Sequence, residues 1–404
     1  MNKTLSLGYL EMKSDWERLL GLGPKFMGTR SADKAASFLA EQLSIAGYEV
    51  MRQEFSYLGW VLKGEPYLKI IRPVARRVEA YPFLWSGSTG SGDTAGNISG
   101  QVVYLGKHNI WGMYDWDKFA ITDESGAILG YISGRPAGPA IPQVLSHGSS
   151  RLPHFIVGES TLRELHEWIG RNLDPIVEGS IWCEYAPGTV GANIIGRPRV
   201  KSPGQRVVVS AHYDTMYNTS GGYDNAAGSA CLLELARRLS KDPVAGTVEF
   251  VFFGAEEWAL AGSKAYIQAA LESGNMRDIK ALLNLDGVGR GDELEVWVGP
   301  EPFETVVQGL IRETGKTSGR EVVYKFPPPP GSDHAPFYTE GIPVCMLTFN
   351  DQPILHRPED GYDEKKLQNM AFTVDLAERL ARAFSEPAFL AVPGPVLGSG
   401  LNMQ

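Results

Sequence analysis

The sequence predicts an α/β protein: a doubly wound mixed sheet with helices on both faces, carrying a smaller β-rich inserted domain. Three observations lead there. Four runs, 207–211, 248–253, 281–285 and 342–349, are rich in Val, Leu, Ile and Phe with little polar alternation, the pattern of strands buried on both faces. Helix-like stretches separate them, so strand and helix alternate through this part of the chain. Between 61 and 187 the texture changes to short strand signals set among Gly, Ser and Pro clusters, such as "SGSTGSGDTAGNISG" and "SGRPAGPAIPQ".

Taken in order, residues 10–45 suggest two amphipathic helices. The second, in "SADKAASFLAEQLSIAGYEV", has Ser31 as N-cap and Gly47 as stop, and the strand-like "YEVMRQEFSY" follows it. The insert shows strands in "GQVVYLG", "GAILGYIS", "HFIVGES" and "GSIWCEY", and one helix near 161–171 after Ser160. A helix over 226–239 places Leu232, Leu235, Ala236 and Leu239 at i, i+3, i+4 and i+7. The proline run 327–330 favours a stiff, extended loop, either a pocket wall or a connector. The division expected is therefore 1–60 with 188–385 for the sheet domain, 61–187 for the insert, and 386–404 as a tail.

At 404 residues the chain is long enough for two cores, and a net charge of -9 disfavours nucleic acid or an anionic membrane as partner. Cys183, Cys231 and Cys345 show neither metal-ligand spacing nor a disulfide framework, and Cys231 and Cys345 stand in apolar contexts that suit buried thiols. Glu11, Lys13, Asp15 and Glu17 interrupt any apolar core of signal-peptide length near the amino terminus, and no run of about 18 apolar residues exists. A cytoplasmic location is the expectation. Oligomeric state is not readable from these patterns.

Chemistry gathers at the ends of the apolar runs. His212 follows the first, Glu256 and Glu257 the second and Asp286 the third, with Asp224 and His356 in the intervening and following segments. Open sheets bind ligands outside the carboxyl ends of their strands, so residues far apart in sequence can converge there. A zinc-like ion accepts imidazole nitrogen and carboxylate oxygen, and two ions about 3.5–4 Å apart need a carboxylate that touches both. Five ligating side chains, one of them bridging, would hold two ions with room for water. Consecutive Glu256 and Glu257 leave a strand end in different directions, so one can bind a metal while the other addresses water. Such an ion lowers the pKa of its water from about 15.7 toward about 7, where a carboxylate can take the proton. Each element has a plainer reading alone: His-x-Asp as a polar strand end, Glu-Glu as a solvated turn, Asp286-Gly287 as a turn start.

The ordered set is more specific. "SAHYDT", "GGYDNAAGSA", "GAEEWALAGS", "NLDGVG", "GSDHAPFYTEGIP" and "HRPEDGYD" resemble the successive signatures of the co-catalytic zinc aminopeptidase and glutamate carboxypeptidase family of metallopeptidases (clan MH), over roughly 190–385. The resemblance implies a zinc-exopeptidase fold and two divalent ions, zinc by preference. One ion would be held by His212, Asp224 and Asp286 and the other by Asp224, Glu257 and His356, with Asp224 bridging and Glu256 as general base. Asp214, two residues after His212, would fix the imidazole tautomer. The insert resembles a protease-associated domain. Peptides are the implied substrates, and release of amino-terminal residues is the activity favoured.

Other readings stay open at this level. A carboxypeptidase or dipeptidase would use the same ions and need a basic group for a terminal carboxylate, for which Arg290, Arg320 and Arg357 are the nearby choices. A glutaminyl cyclase is a one-zinc relative, and a receptor-like module with a vestigial site belongs to another class, although such modules usually lose ligands. Relatives with a tyrosine before the last histidine ligand use it to stabilise the oxyanion; here Leu355 stands there, leaving Tyr217, Tyr223, Tyr338 and Tyr362 as substitutes. His334 reads as a packing residue, and Asp333 as a hydrogen-bond partner near Glu256. His108, His147, His154 and His166 of the insert have no carboxylate at a recognisable spacing and read as surface or packing residues.

Overall fold

The computed structural model describes residues 7–110, 113–145, 151–199, 205–315, 321–349 and 353–390. The chain divides into two compact units: one of Met1–Phe55, Val190–Asp351 and Pro358–Gln404, the other of Ser56–Thr189 and Gln352–Arg357. His147 and most of the expected tail lie outside the described residues.

An eight-stranded mixed sheet organises the first unit. Its order is Glu49–Leu62, Cys183–Arg197, Thr247–Phe253, Arg206–His212, Ile279–Leu285, Val344–Phe349, Leu294–Gly299 and Val322–Lys325. The central four strands are parallel, with His212 opposite Phe253, Ser210 opposite Asn284, and Leu285 opposite Leu347. Antiparallel partners flank them on both sides. The four runs expected as strands are these central four, and their side chains are almost wholly buried. Burial on both faces explains why they carry no alternation.

Helices cover both faces. Leu7–Leu20, Arg30–Ile45, Ala227–Lys241 and Leu367–Phe384 pack together on one side. On the other, Ala261–Glu272 and His334–Thr339 bury Tyr266, Ile267 and Phe337 against Val208, Val251 and Leu282. The second helix starts two residues earlier than Ser31 suggests. Thr29, in extended conformation, caps it by accepting from Ala32 N, and the Ser31 hydroxyl turns away to Leu22 O. Its end at Ile45 is followed by Gly47 at φ +97°, the left-handed residue that a helix stop favours. The strands Leu294–Gly299 and Val322–Lys325 have no counterpart among the four runs and complete the sheet on one side, with Val322–Lys325 at the edge.

The second unit holds a nine-stranded sheet and the helix Glu159–Gly170. Phe83, Ile110, Trp116, Ile141 and Ile156 form a core there. The helix begins at Gly158, so Ser160 lies within its first turn and not at its cap. No helix among the described residues is long and apolar enough to cross a membrane.

Candidate active site

Parallel register brings the first group together. His212 ends its strand 1% exposed, and Asp286 directly follows the neighbouring strand Ile279–Leu285. His212 Nε2 lies 3.3 Å from Asp286 Oδ1 and 2.9 Å from Asp224 Oδ1. Asp224 comes from the irregular segment Gly222–Ala226, where its peptide bond to Asn225 is cis. Two carboxylate oxygens crowd one imidazole nitrogen, so all three donors point at a common centre. A Glu256 oxygen lies within 4.8 Å of ligating atoms of His212 and Asp286, and oxygens of Asp224 and Glu257 lie within 4.8 Å of each other. Ala255, at φ +57°, turns the chain after the Thr247–Phe253 strand so that Glu256 and Glu257 follow at the same sheet end.

Each of these groups is held from behind. Asp214, 0% exposed, accepts Glu256 N–H at 3.0 Å and Glu257 N–H at 3.3 Å, clamping the paired glutamates by their backbone. Its distance to His212 Nδ1 is 3.6 Å, beyond a hydrogen bond, and that nitrogen makes none. The tautomer role expected for Asp214 is thus secondary to its hold on Glu256 and Glu257. Asp286 Oδ2 accepts from Ser332 Oγ at 2.6 Å, Ser332 Oγ accepts from Asn284 Nδ2 at 2.9 Å, and Asn284 Oδ1 accepts from Ser210 Oγ at 2.7 Å. Asn225 donates to Leu285 O and accepts from Gly228 N, joining the start of the Ala227–Lys241 helix to the strand that carries Asp286. Gly228 leaves no room for a side chain, since a Cβ would sit 2.5 Å from Leu285 O. Asp360, also 0% exposed, accepts from Tyr223 N at 2.7 Å and Asp224 N at 3.0 Å.

Charge is unbalanced at this centre. Burial, the largest influence on His212, opposes its protonation, yet Asp286, Glu256, Asp214 and Asp224 together push its pKa well above the usual value. Burial raises Glu256 well above the carboxylate range, opposed by His212 and reinforced by Glu257, Asp286 and Asp333. Burial likewise pushes Asp333 up to about 7. A crowd of buried carboxylates around one imidazole is costly without a cation. The nitrogen and oxygen donors suit a zinc-like ion, so the residues fit the metal their pattern implies.

Comparison with known proteins decides the class. A family model described as "Peptidase family M28" matches residues 193–379. Residues 193–379 belong to peptidase family M28. The chain is therefore an enzyme acting on peptide bonds. It is 24% identical over 379 residues to an aminopeptidase of Bacillus subtilis (YwaD), covering 88% of this chain and 80% of that one. It is 32% identical to an aminopeptidase of Pseudomonas aeruginosa, covering 79% of this chain and 66% of the other. Among solved structures, a peptidase M28 precursor from Shewanella amazonensis superposes with a TM-score of 0.75 at 17% identity, covering 98% of this chain and 96% of that chain. A zinc aminopeptidase from Bacillus subtilis gives 0.69 at 19% identity, covering 96% and 97%.

His356, at φ +58°, belongs to the 352–357 segment of the second unit, where its Nδ1 is 2.9 Å from Pro142 O. Arg357 in the same unit pairs with Glu79 at 2.7 Å and donates to Ala140 O, so its guanidinium is engaged. Arg320 lies outside the described residues. Tyr223 donates its hydroxyl to Phe349 O, and the Tyr362 ring lies tilted against Trp16 with centroids 5.0 Å apart. Tyr338 packs against the core of the sheet, and Tyr217 meets Phe26 edge-on at 5.9 Å. Asp333 corrects one expectation: it makes no hydrogen bond near Glu256; both its oxygens are buried, with the Ser263 hydroxyl the polar group that favours its charged form. His334 is a packing residue, its Nε2–H donating to Pro329 O at 2.8 Å and its ring edge-on to Trp297. In the second unit His166 does find a carboxylate, Asp117 at 3.5 Å, while His108 and His154 share the Ser133 hydroxyl.

Ser332, Asn284, Ser210, Asn225 and Asp360 were not singled out from sequence. A signal existed for two of them. Ser210 and Asn284 are polar residues inside largely apolar central strands, and a buried polar residue needs a partner.

Proposed function

We propose that this M28 chain is a metal-dependent aminopeptidase that releases amino-terminal residues from peptides. The observation that carries the reading is the meeting of His212, Asp224 and Asp286 at one nitrogen, with Glu256 beside them. His212, Asp224 and Asp286 would hold one divalent ion. By the family pattern Asp224, Glu257 and His356 would hold a second, with zinc the ion that suits these donors. Bound there, such an ion supplies Lewis-acid polarisation of the scissile carbonyl and acidifies water.

The chain's own groups do the rest. Glu256 takes the proton of the attacking water and delivers it to the leaving amine, work that general bases perform for a gain of about 10²–10⁴. Asp214 sets the direction of Glu256 through its backbone N–H. Ser332 holds Asp286 in one orientation. Arg357, committed to Glu79 and Ala140, disfavours a site built to grip a terminal carboxylate. The Ser56–Thr189 unit is read as a protease-associated-like domain, on the strength of its β-rich make-up. A cytoplasmic location is proposed from the three cysteines, all buried free thiols, as a reducing compartment favours.

The test is an aminoacyl-anilide panel run beside amino-blocked peptides, with chelator treatment and zinc add-back. Hydrolysis of free but not blocked substrates, lost with chelator and restored by zinc, is expected. Cleavage of blocked peptides from the carboxyl end would replace the assignment with carboxypeptidase action.

A further inference from the structure

A fully buried lysine stands behind this centre. Lys25, in the connection between the helices Leu7–Leu20 and Arg30–Ile45, is 0% exposed. Its backbone N–H donates to Thr215 Oγ1 at 2.8 Å, and its Nζ donates to Ser220 O at 2.6 Å and to Gly23 O at 3.5 Å. Thr215 directly follows Asp214, and Ser220 stands four residues before Asp224. One residue therefore ties both ends of the loop that separates these two acids. Thr215 Oγ1 in turn reaches Thr219 O at 3.2 Å, closing the loop on itself.

Burying an ammonium is costly unless compensating charge is near. Burial lowers the Lys25 pKa to about 8, and the nearby charges of Asp360, Asp214 and Asp224 oppose that fall and favour the charged lysine. Asp360 also holds the backbone of Tyr223 and Asp224, so cation and acid grip opposite ends of the same segment. A neutral strut of similar length would fill the space without the desolvation cost.

We propose that Lys25 is a positioning residue for metal binding: it pins the 215–220 loop and offsets the carboxylate excess, so that Asp224 is in place before a cation arrives. The inference rests on Asp224 being a metal ligand. Removing the positive charge alone would strengthen cation binding by Coulomb attraction. Lys25→Met keeps the backbone N–H tether to Thr215 but frees Ser220 O, four residues before Asp224, and this release of the loop weakens binding by the larger effect.

The experiment compares wild type, Lys25→Met, Thr215→Val and Asp224→Ala. Zinc affinity of the apo full chain is measured by competition with a chromophoric chelator, and melting temperature is measured with and without zinc. Lys25→Met should bind zinc at least about tenfold more weakly and show a smaller zinc-induced rise in melting temperature. Thr215→Val, which keeps the ammonium but removes the second tether, should bind zinc about threefold more weakly; this arm decides the matter if Lys25→Met does not fold. Affinity within twofold of wild type in whichever variants fold, with apo and zinc-loaded melting lowered in parallel, would make Lys25 a purely structural residue and overturn the proposal. Asp224→Ala separates the two levels. If it retains wild-type zinc binding, the metal assignment itself falls, whereas loss of zinc there with none in Lys25→Met removes only the role of Lys25.

Discussion

Asp214→Asn isolates the clamp on the paired glutamates. The wild-type carboxylate accepts two backbone N–H groups, from Glu256 at 3.0 Å and Glu257 at 3.3 Å, and its side chain is out of contact with solvent. An asparagine of the same shape offers one oxygen and one NH2 group, so one of the two backbone donors must face another donor. Leaving a buried donor unsatisfied costs about 1–3 kcal/mol. If that cost falls wholly on the geometry needed in the transition state, kcat/KM drops about 5- to 150-fold, at 1.36 kcal/mol per decade. If the loop relaxes instead, the same energy is lost from folding stability. The assay is therefore steady-state hydrolysis of an aminoacyl-anilide at saturating zinc, paired with urea unfolding of the same preparation. The two losses together should reach at least about 1 kcal/mol. A variant with kcat/KM within twofold of wild type and an unchanged unfolding midpoint would refute the clamp.

Glu256→Gln should retain its zinc content and lose at least about a hundredfold in kcat, the lower range for a missing general base, with metal analysis and turnover measured together. Near-normal turnover would take Glu256 out of the chemistry. Ser332→Ala deprives Asp286 of its donor and Asn284 Nδ2 of its acceptor; zinc affinity should weaken about tenfold, the lower end for loss of a group that orients a ligand, and equal affinity in a competition titration would argue against the chain. Asp15→Asn tests burial away from the site. Burial raises the Asp15 pKa from 3.8 to about 6 against the pull of Arg237, so stability from its neutral form is full below pH 3.8 and lost as pH rises through 6. Asparagine mimics the neutral form, and its stability relative to wild type should rise by about 2–3 kcal/mol between pH 4 and 7, read from urea midpoints with chelator present throughout; a difference flat with pH would count against the raised pKa.

What sequence could supply depended on whether a residue's neighbours are set by local order or by sheet register. The four central strands were legible because burial on both faces removes alternation. His212 and Asp286 were legible because each stands at the carboxyl end of such a strand, which parallel pairing turns into proximity. Asp333 looked like a hydrogen-bond partner near Glu256, whereas both its oxygens are buried without such a bond. The caps failed for a similar reason: Ser31 is a good capping residue by type, yet Thr29 two residues earlier has the extended backbone the role requires.

The supports of the site were the part least open to a linear reading. Ser210, Asn284 and Ser332 form one hydrogen-bonded chain to Asp286, but only the register that sets Ser210 opposite Asn284 makes them a chain. Asp360 lies 136 residues from Asp224 and grips it through the backbone, where side-chain type leaves no trace in the sequence. This division follows from the chemistry. Groups that meet an ion directly must be particular residue types and so announce themselves as motifs, whereas groups that hold them need only an acceptor or donor at the right point in space. Asp214 shows both at once: its spacing from His212 advertises it as an imidazole partner, and its oxygens are used instead on the backbone of Glu256 and Glu257.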